Sequence, residues 1–307
     1  MTVKNNMICD LETGVCGTAG EEEMKLIDFS KPTEVIELYY VTDPICSHCW
    51  ALEPTLNKFI AQYGHYFNMK TVMGGLLESW EGFADVSNGI RKASDVAGHW
   101  REVGEHSRMP IDGSLWLDHP VHSSYPPSRV YKIIKQSSDK LANDFLRKAR
   151  EAVFVLNQNI AEDNVLIELV DQLGLNGAEI VKKALGIQAQ QLLNEDFALA
   201  KSLGVRGFPT IIMVNEEKKG VKLVGARSFE DYVNGLKQVI LVTESLEPRP
   251  QSGLSDMLKN GQRLFSKEIE TMYGLHEKEV LSFVEKELNP EEYDVKEILG
   301  EKYLQRK

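Results

Sequence analysis

Apolar positions change period repeatedly along the 307 residues. Val35–Val41 reads VIELYYV, a short run rich in β-branched and aromatic side chains, the pattern of a buried strand. The turn Thr42–Asp43–Pro44 follows. From Cys49 onward Leu52, Leu56, Phe59 and Ile60 recur at helical spacing as far as Tyr63–Gly64. Phe67–Leu76 is a second strand pattern. From about Val86 to Leu203 the period is mostly helical, with Leu141, Phe145, Leu146, Ala149, Ala152 and Val153 on one face. Asp163 is placed as an N-cap and Gly174 as a stop, and a further helix over Gln190–Leu203 ends at Gly204. GFPTIIMV then restores a strand, KLVGA is its companion, and Ser228 caps a closing helix to Val242. The order β–α–β, helical stretch, β–β–α predicts an α/β fold: a small mixed sheet with helices on both faces and a helical domain inserted between its two halves.

Composition shifts extend this map. Residues 1–32 are polar, with Gly17, Gly20 and the run Glu21–Glu23, and read as a flexible N-terminal lead-in. Residues 33–85 and 204–246 supply the core and 86–203 the insertion. Residues 247–253, EPRPQSG, have linker chemistry, so 247–307 reads as a linker and a small C-terminal helical element. Within it Ser266–Leu288 has the pattern of two helices joined at Gly274.

At 42% hydrophobic and 26% charged residues, the chain has the usage of an ordinary globular protein. Its net charge of -11 opposes sequence-independent nucleic-acid binding, which requires a basic surface. The same acidity opposes attraction to an anionic membrane. Ser266–Leu288 is rich in glutamate, so it reads as a packing or partner-binding pair of helices and not as a DNA reader. No apolar leader opens the chain, and no run approaches the roughly 20 apolar residues that cross a bilayer. A cytoplasmic location is therefore expected, where most thiols stay reduced.

The four cysteines are Cys9, Cys16, Cys46 and Cys49, too few for a disulfide scaffold. Cys46 and Cys49 form C-S-H-C after a strand and at the start of a helix, a far more specific context than a bare C-x-x-C. Unpaired N–H groups and the helix dipole favour a thiolate at Cys46. Cys46 is thus the expected attacking thiol and Cys49 the resolving one. His48, between them, is expected to stabilise the thiolate. Pro54 sits within the helix, five residues after Cys49. Trp50 is either a packing residue or a substrate contact. Cys9 and Cys16, in a polar C-x6-C, read as incidental thiols or a second redox pair. The chemistry calls for no cofactor and no metal, because C-x6-C has unusual spacing for a zinc site. His119 and His122 flank Pro120 and read as loop residues.

With C-S-H-C, Pro54 and GVRGFPT around a helical insertion, the chain resembles the DsbA-like branch of the thioredoxin superfamily over roughly residues 33–246. The resemblance implies a thioredoxin-like fold, a cis proline at Pro209 opposite the C-x-x-C, and pairing of the Phe208 backbone with an extended substrate. Ser47 stands where that family usually has proline, and Phe208 where it usually has a small or β-branched residue. D-P-I-C-S-H-C-W-A-L-E-P, Ser123–Ser128 (SSYPPS) and the C-terminal segment are similar to cytosolic members from Gram-positive bacteria, including the SpxH adaptor group. Two functions follow. The main one is a disulfide oxidoreductase of the FrnE type, exchanging with protein or small-molecule thiols and disulfides. The alternative is an adaptor that binds an Spx-like transcription regulator and promotes its degradation by ClpXP. A glutathione-dependent isomerase is disfavoured, because such enzymes usually replace the second cysteine and Cys49 is present.

Overall fold

The computed structural model describes residues 36–85, 88–240, 246–258 and 263–307, together with the backbone of 6–10, 15–19 and 24–28. Those three backbone segments are strands β1 (Asn6–Asp10), β2 (Val15–Ala19) and β3 (Met24–Asp28), an antiparallel sheet in that order. Cys9 and Cys16 occupy opposed positions in it. The rest of the expected lead-in lies outside the described residues.

Strand β4 (Ile36–Thr42) is central to a four-stranded sheet of order β5–β4–β6–β7, with β5 at Phe67–Met73, β6 at Thr210–Val214 and β7 at Gly220–Val224. β4 and β5 run parallel, joined by helix α1 (Ser47–Tyr63), while β6 and β7 are antiparallel to their neighbours. Side-chain alternation splits β4 between two cores. Ile36, Leu38 and Tyr40 pack with Leu52, Leu56 and Phe59 of α1 and with Tyr232 and Leu236 of α9 (Phe229–Ile240). Val41 joins Val72 and Ala200 on the opposite face. Phe59 is wholly buried, and burial of a side chain of that size contributes about 1.5–3 kcal/mol. Ser228 caps α9 as expected, its Oγ accepting from the Asp231 N–H at 3.1 Å. The strand predicted to Leu76 ends at Met73, because Gly75, at φ 71°, takes the backbone out of the extended region, and the Phe208 ring packs on Gly74 where a Cβ would clash.

The insertion comprises α2 (Val96–Ser107), α3 (Leu115–Asp118), α4 (Tyr125–Lys135), α5 (Asp139–Arg150), α6 (Asp163–Asp171), α7 (Gly177–Ala184) and α8 (Ile187–Ser202). The apolar face predicted on α5 is buried, and the helix passes into a π-helical turn over Glu151–Val155. Asp163, expected as the N-cap, is instead the first helical residue of α6, one place inside the observed cap Glu162. Trp50 of α1 belongs to the core of this insertion, beside Trp100 and Phe154.

The C-terminal element departs from expectation by containing a sheet. α10 (Leu254–Leu258), α11 (Ser266–Tyr273) and α12 (Val280–Glu287) accompany strands β8 (Leu264–Phe265), β9 (Tyr293–Ile298) and β10 (Glu301–Arg306), in order β8–β10–β9. Gly274 ends α11 in the left-handed conformation, as the turn requires. The hairpin turns on Leu299–Gly300, both at positive φ. Its strands carry charge on their exposed side, which hides them in a polar composition.

Candidate functional site: the Cys46–Cys49 turn and its cleft

Cys46 is the N-cap of α1, and its Sγ accepts the Cys49 N–H at 3.3 Å. Both thiols are free and buried, Cys49 completely. The helix continues through Pro54, whose missing N–H leaves the Trp50 carbonyl without its usual partner. Burial first, and then the hydrogen bond with Cys49, push the Cys46 thiol well above its ordinary value. Burial also works against a Cys49 thiolate. The hydrogen bond with Cys46, the Arg150 guanidinium and Thr42 outweigh it and hold Cys49 below its ordinary value. The charge-stabilising groups therefore gather on Cys49, whereas the sequence argument placed the thiolate on Cys46. Helix position favours Cys46, but the surrounding wall removes solvent from it and adds the nearby Asp43 carboxylate.

Cys46 nevertheless lines an open cleft. A cleft of about 420 Å³ is lined by Cys46, His48, Trp80, Phe83, Trp100 and Phe208, among others. The Phe208–Pro209 peptide is cis. Pro209 is buried and Phe208 half-buried, and Gly207–Phe208 forms part of the cleft wall across from Cys46. Asp43 fixes the turn: one carboxylate oxygen accepts the Ile45 N–H (3.1 Å), the other the Leu76 N–H (2.7 Å) and the Ser124 hydroxyl (2.8 Å). Ser124 belongs to the SSYPPS segment at the start of α4, so this segment reaches the turn before Cys46. Burial raises the Asp43 carboxyl from 3.8 to about 6 against those three hydrogen bonds and Arg150. His48 is exposed at the rim, its ring 5.4 Å from that of His99. Desolvation and then His99 lower its imidazole from the ordinary value, with Asp85 opposing. That shift works against the cationic form of His48 and leaves its hydrogen-bonding capacity in place. Among the described residues no cluster of three or more His, Cys, Asp or Glu is placed to hold a metal ion. His119 and His122 are exposed beyond α3, as loop residues.

A family model described as Thioredoxin matches residues 39–234. A protein named ClpXP adapter protein SpxH from Halalkalibacterium halodurans is 30% identical over 274 residues, covering 89% of this chain and 88% of that protein. The protein of the same name from Bacillus subtilis is 29% identical over 255 residues, covering 81% and 82%. The chain belongs to the SpxH group of thioredoxin-fold proteins. A solved structure described as a protein disulfide isomerase from Nitrosomonas europaea shares the fold at 20% identity and a TM-score of 0.56, covering 67% of this chain and 96% of that one. No helix among the described residues is long and apolar enough to cross a membrane.

In this SpxH-group chain, Trp50 is a packing residue and not a wall of the cleft. It is fully buried, donates Nε1–H to the Pro110 carbonyl at 3.0 Å, stacks on Phe154 and meets Phe265 edge-on. Phe265 precedes α11, so one indole joins α1, the insertion and the C-terminal element. Beneath it runs a buried charge network that the sequence did not reveal. Arg150 donates to Glu53 (2.8 Å), to the Thr42 hydroxyl and to the Asp43 carbonyl. Arg147 donates to Glu53 (2.7 Å), to Glu151 (2.9 Å) and to both oxygens of Glu268 (2.7 and 2.9 Å). Arg263 adds a 3.1 Å contact to Glu151. The Arg147 and Arg150 pair, one turn apart on α5, was the available signal: two arginines among the apolar positions of a helix need buried acids.

Proposed function

We propose that the chain is an adaptor of the SpxH type, which binds an Spx-like transcription regulator in the cytoplasm and promotes its degradation by ClpXP. The observation that carries this reading is the extent of the match. At 89% coverage the similarity to a protein named as a ClpXP adapter takes in the thioredoxin part and runs into the C-terminal element. The likeness to a disulfide isomerase covers 67% of the chain and supports the fold alone. The test combines purified chain, an Spx-type regulator and ClpXP. Regulator turnover is expected to accelerate with added chain. An unchanged rate, together with no binding of the regulator, removes the reading.

The second reading, a thiol–disulfide oxidoreductase, is favoured by Cys46 and the cis Phe208–Pro209 bond lying on one cleft. Its substrates are protein or small-molecule disulfides. Cys46→Ser is expected to abolish turnover of a small disulfide while leaving adaptor activity intact. A Cys46→Ser protein as active on disulfides as the parent removes this reading.

A further inference from the structure

The network around α5 links two places that are far apart in sequence. Glu268 lies on α11 of the C-terminal element, and Cys49 lies in the redox turn. Between them stand Arg147, Glu53 and Arg150, each joined to the next by a hydrogen-bonded ion pair of 2.7–2.8 Å. Arg150 is 2% exposed, and its guanidinium ends on the Thr42 hydroxyl and the Asp43 carbonyl, the two groups that also hydrogen-bond with Cys49. Taken as a set, Glu268, Arg147, Glu53 and Arg150 are neutral, and so is the flanking pair Glu151 and Arg263.

We propose that the C-terminal element tunes the Cys49 thiol through this buried ladder, with Arg150 as the positioning residue for a Cys49 thiolate and Glu268 as the counter-charge that limits it. The groups acting on Cys49 come from the elements around it: Tyr40 and Thr42 from β4, Asp43 from the turn, Cys46 at the N-cap of α1, Arg150 from α5 and Tyr232 from α9, with Glu53 of α1 paired to Arg150. Arg150 is the only cation in that set. Burial lowers the dielectric, so its charge acts strongly at short range. Glu53 divides its two oxygens between Arg150 and Arg147, and Arg147 in turn binds Glu268 with both of its Nη atoms. Removing the Glu268 charge leaves the ladder net positive and strengthens the field at Cys49. Coupling of this kind is reciprocal: what displaces α11 alters Cys49, and ionisation of Cys49 alters how firmly α11 is held. The proposal goes beyond both functional readings and requires only that Cys49 titrates.

The test is a pH titration of Cys49, followed by the carbon NMR shift of its Cβ, in the full chain with Cys9, Cys16 and Cys46 replaced by serine. In Arg150→Gln the midpoint is expected to rise by about one unit or more, the effect of losing an opposite charge at close range. Arg150→Lys, which keeps the charge, is expected to recover most of that rise. In Glu268→Gln the midpoint is expected to fall. Opposite movements in the two variants support the ladder, since general loosening of the site would move both the same way. An unmoved midpoint in either variant, or movement in the same direction, overturns it. If Arg150→Gln does not fold, Glu268→Gln decides alone: a lower midpoint supports the proposal and an unchanged or higher one overturns it. The adaptor reading is scored by regulator degradation, so either can fail without the other.

Discussion

Replacing Asp43 by asparagine removes a charge from the turn before Cys46 while keeping an oxygen to accept the Ile45 N–H. In the parent, burial raises this carboxyl from 3.8 to about 6. A folded value above the unfolded one means that the native state holds the proton more tightly. The stabilisation is complete below about pH 4 and is lost as pH rises through about 6. The full difference is worth about 3 kcal/mol, of which about 1.3 kcal/mol is regained on going from pH 7 to pH 5. The substituted amide cannot ionise, so its own cost, an amide group facing the Leu76 N–H, stays constant with pH. Urea unfolding of both proteins between about pH 5 and pH 7 isolates the effect, because every other titrating group cancels in the comparison. The parent is expected to gain about 1.3 kcal/mol on the variant as pH falls. Stability curves that stay parallel, or that diverge in the opposite sense, refute a buried carboxyl held above its ordinary range.

Three further outcomes follow from packing and charge. Trp50→Ala empties a fully buried site and strands the Pro110 carbonyl, so unfolding free energy is expected to drop by about 3–5 kcal/mol, measured by urea titration. Arg147→Met leaves Glu53, Glu151 and Glu268 short of a cation; the expected loss is about 3–5 kcal/mol at neutral pH, measured by urea titration. Gly74→Ala drives a methyl into the Phe208 ring and is expected to cost about 1–3 kcal/mol, a cost that a double-mutant cycle should find largely gone in a Phe208→Ala background.

What could be seen in advance was local. The strand, C-x-x-C and helix lie within one short stretch, Pro54 and Gly274 act on their own neighbourhoods, and the periodicities of α5 and α9 are set by adjacent turns. The cis Phe208–Pro209 bond came from family resemblance, since a trans proline is the ordinary expectation. The ladder was invisible for a physical reason. Arg150 reaches Glu53 across 97 residues and Arg147 reaches Glu268 across 121, and no short pattern encodes such pairs. Asp43 was read as a turn residue, yet two of its three partners lie 33 and 81 residues away. The C-terminal sheet was missed because its turn is Leu299–Gly300, without the asparagine or aspartate that usually marks a two-residue hairpin.

The first turn of α1 has two sides with different chemistry. Cys46 and His48 open onto an aromatic cleft, so substitutions there act on access. Trp50 and Glu53 face inward, where an indole and a carboxylate meet α5 and the approach to α11. Cys49 lies between, fully buried, and senses the inner side through Thr42 and Arg150. A partner held at the cleft and a partner held at the C-terminal element would therefore act on the same thiol by different routes, one by contact with Cys46 and one by charge. The proposed inner route needs a titrating Cys49 even when no disulfide is being exchanged.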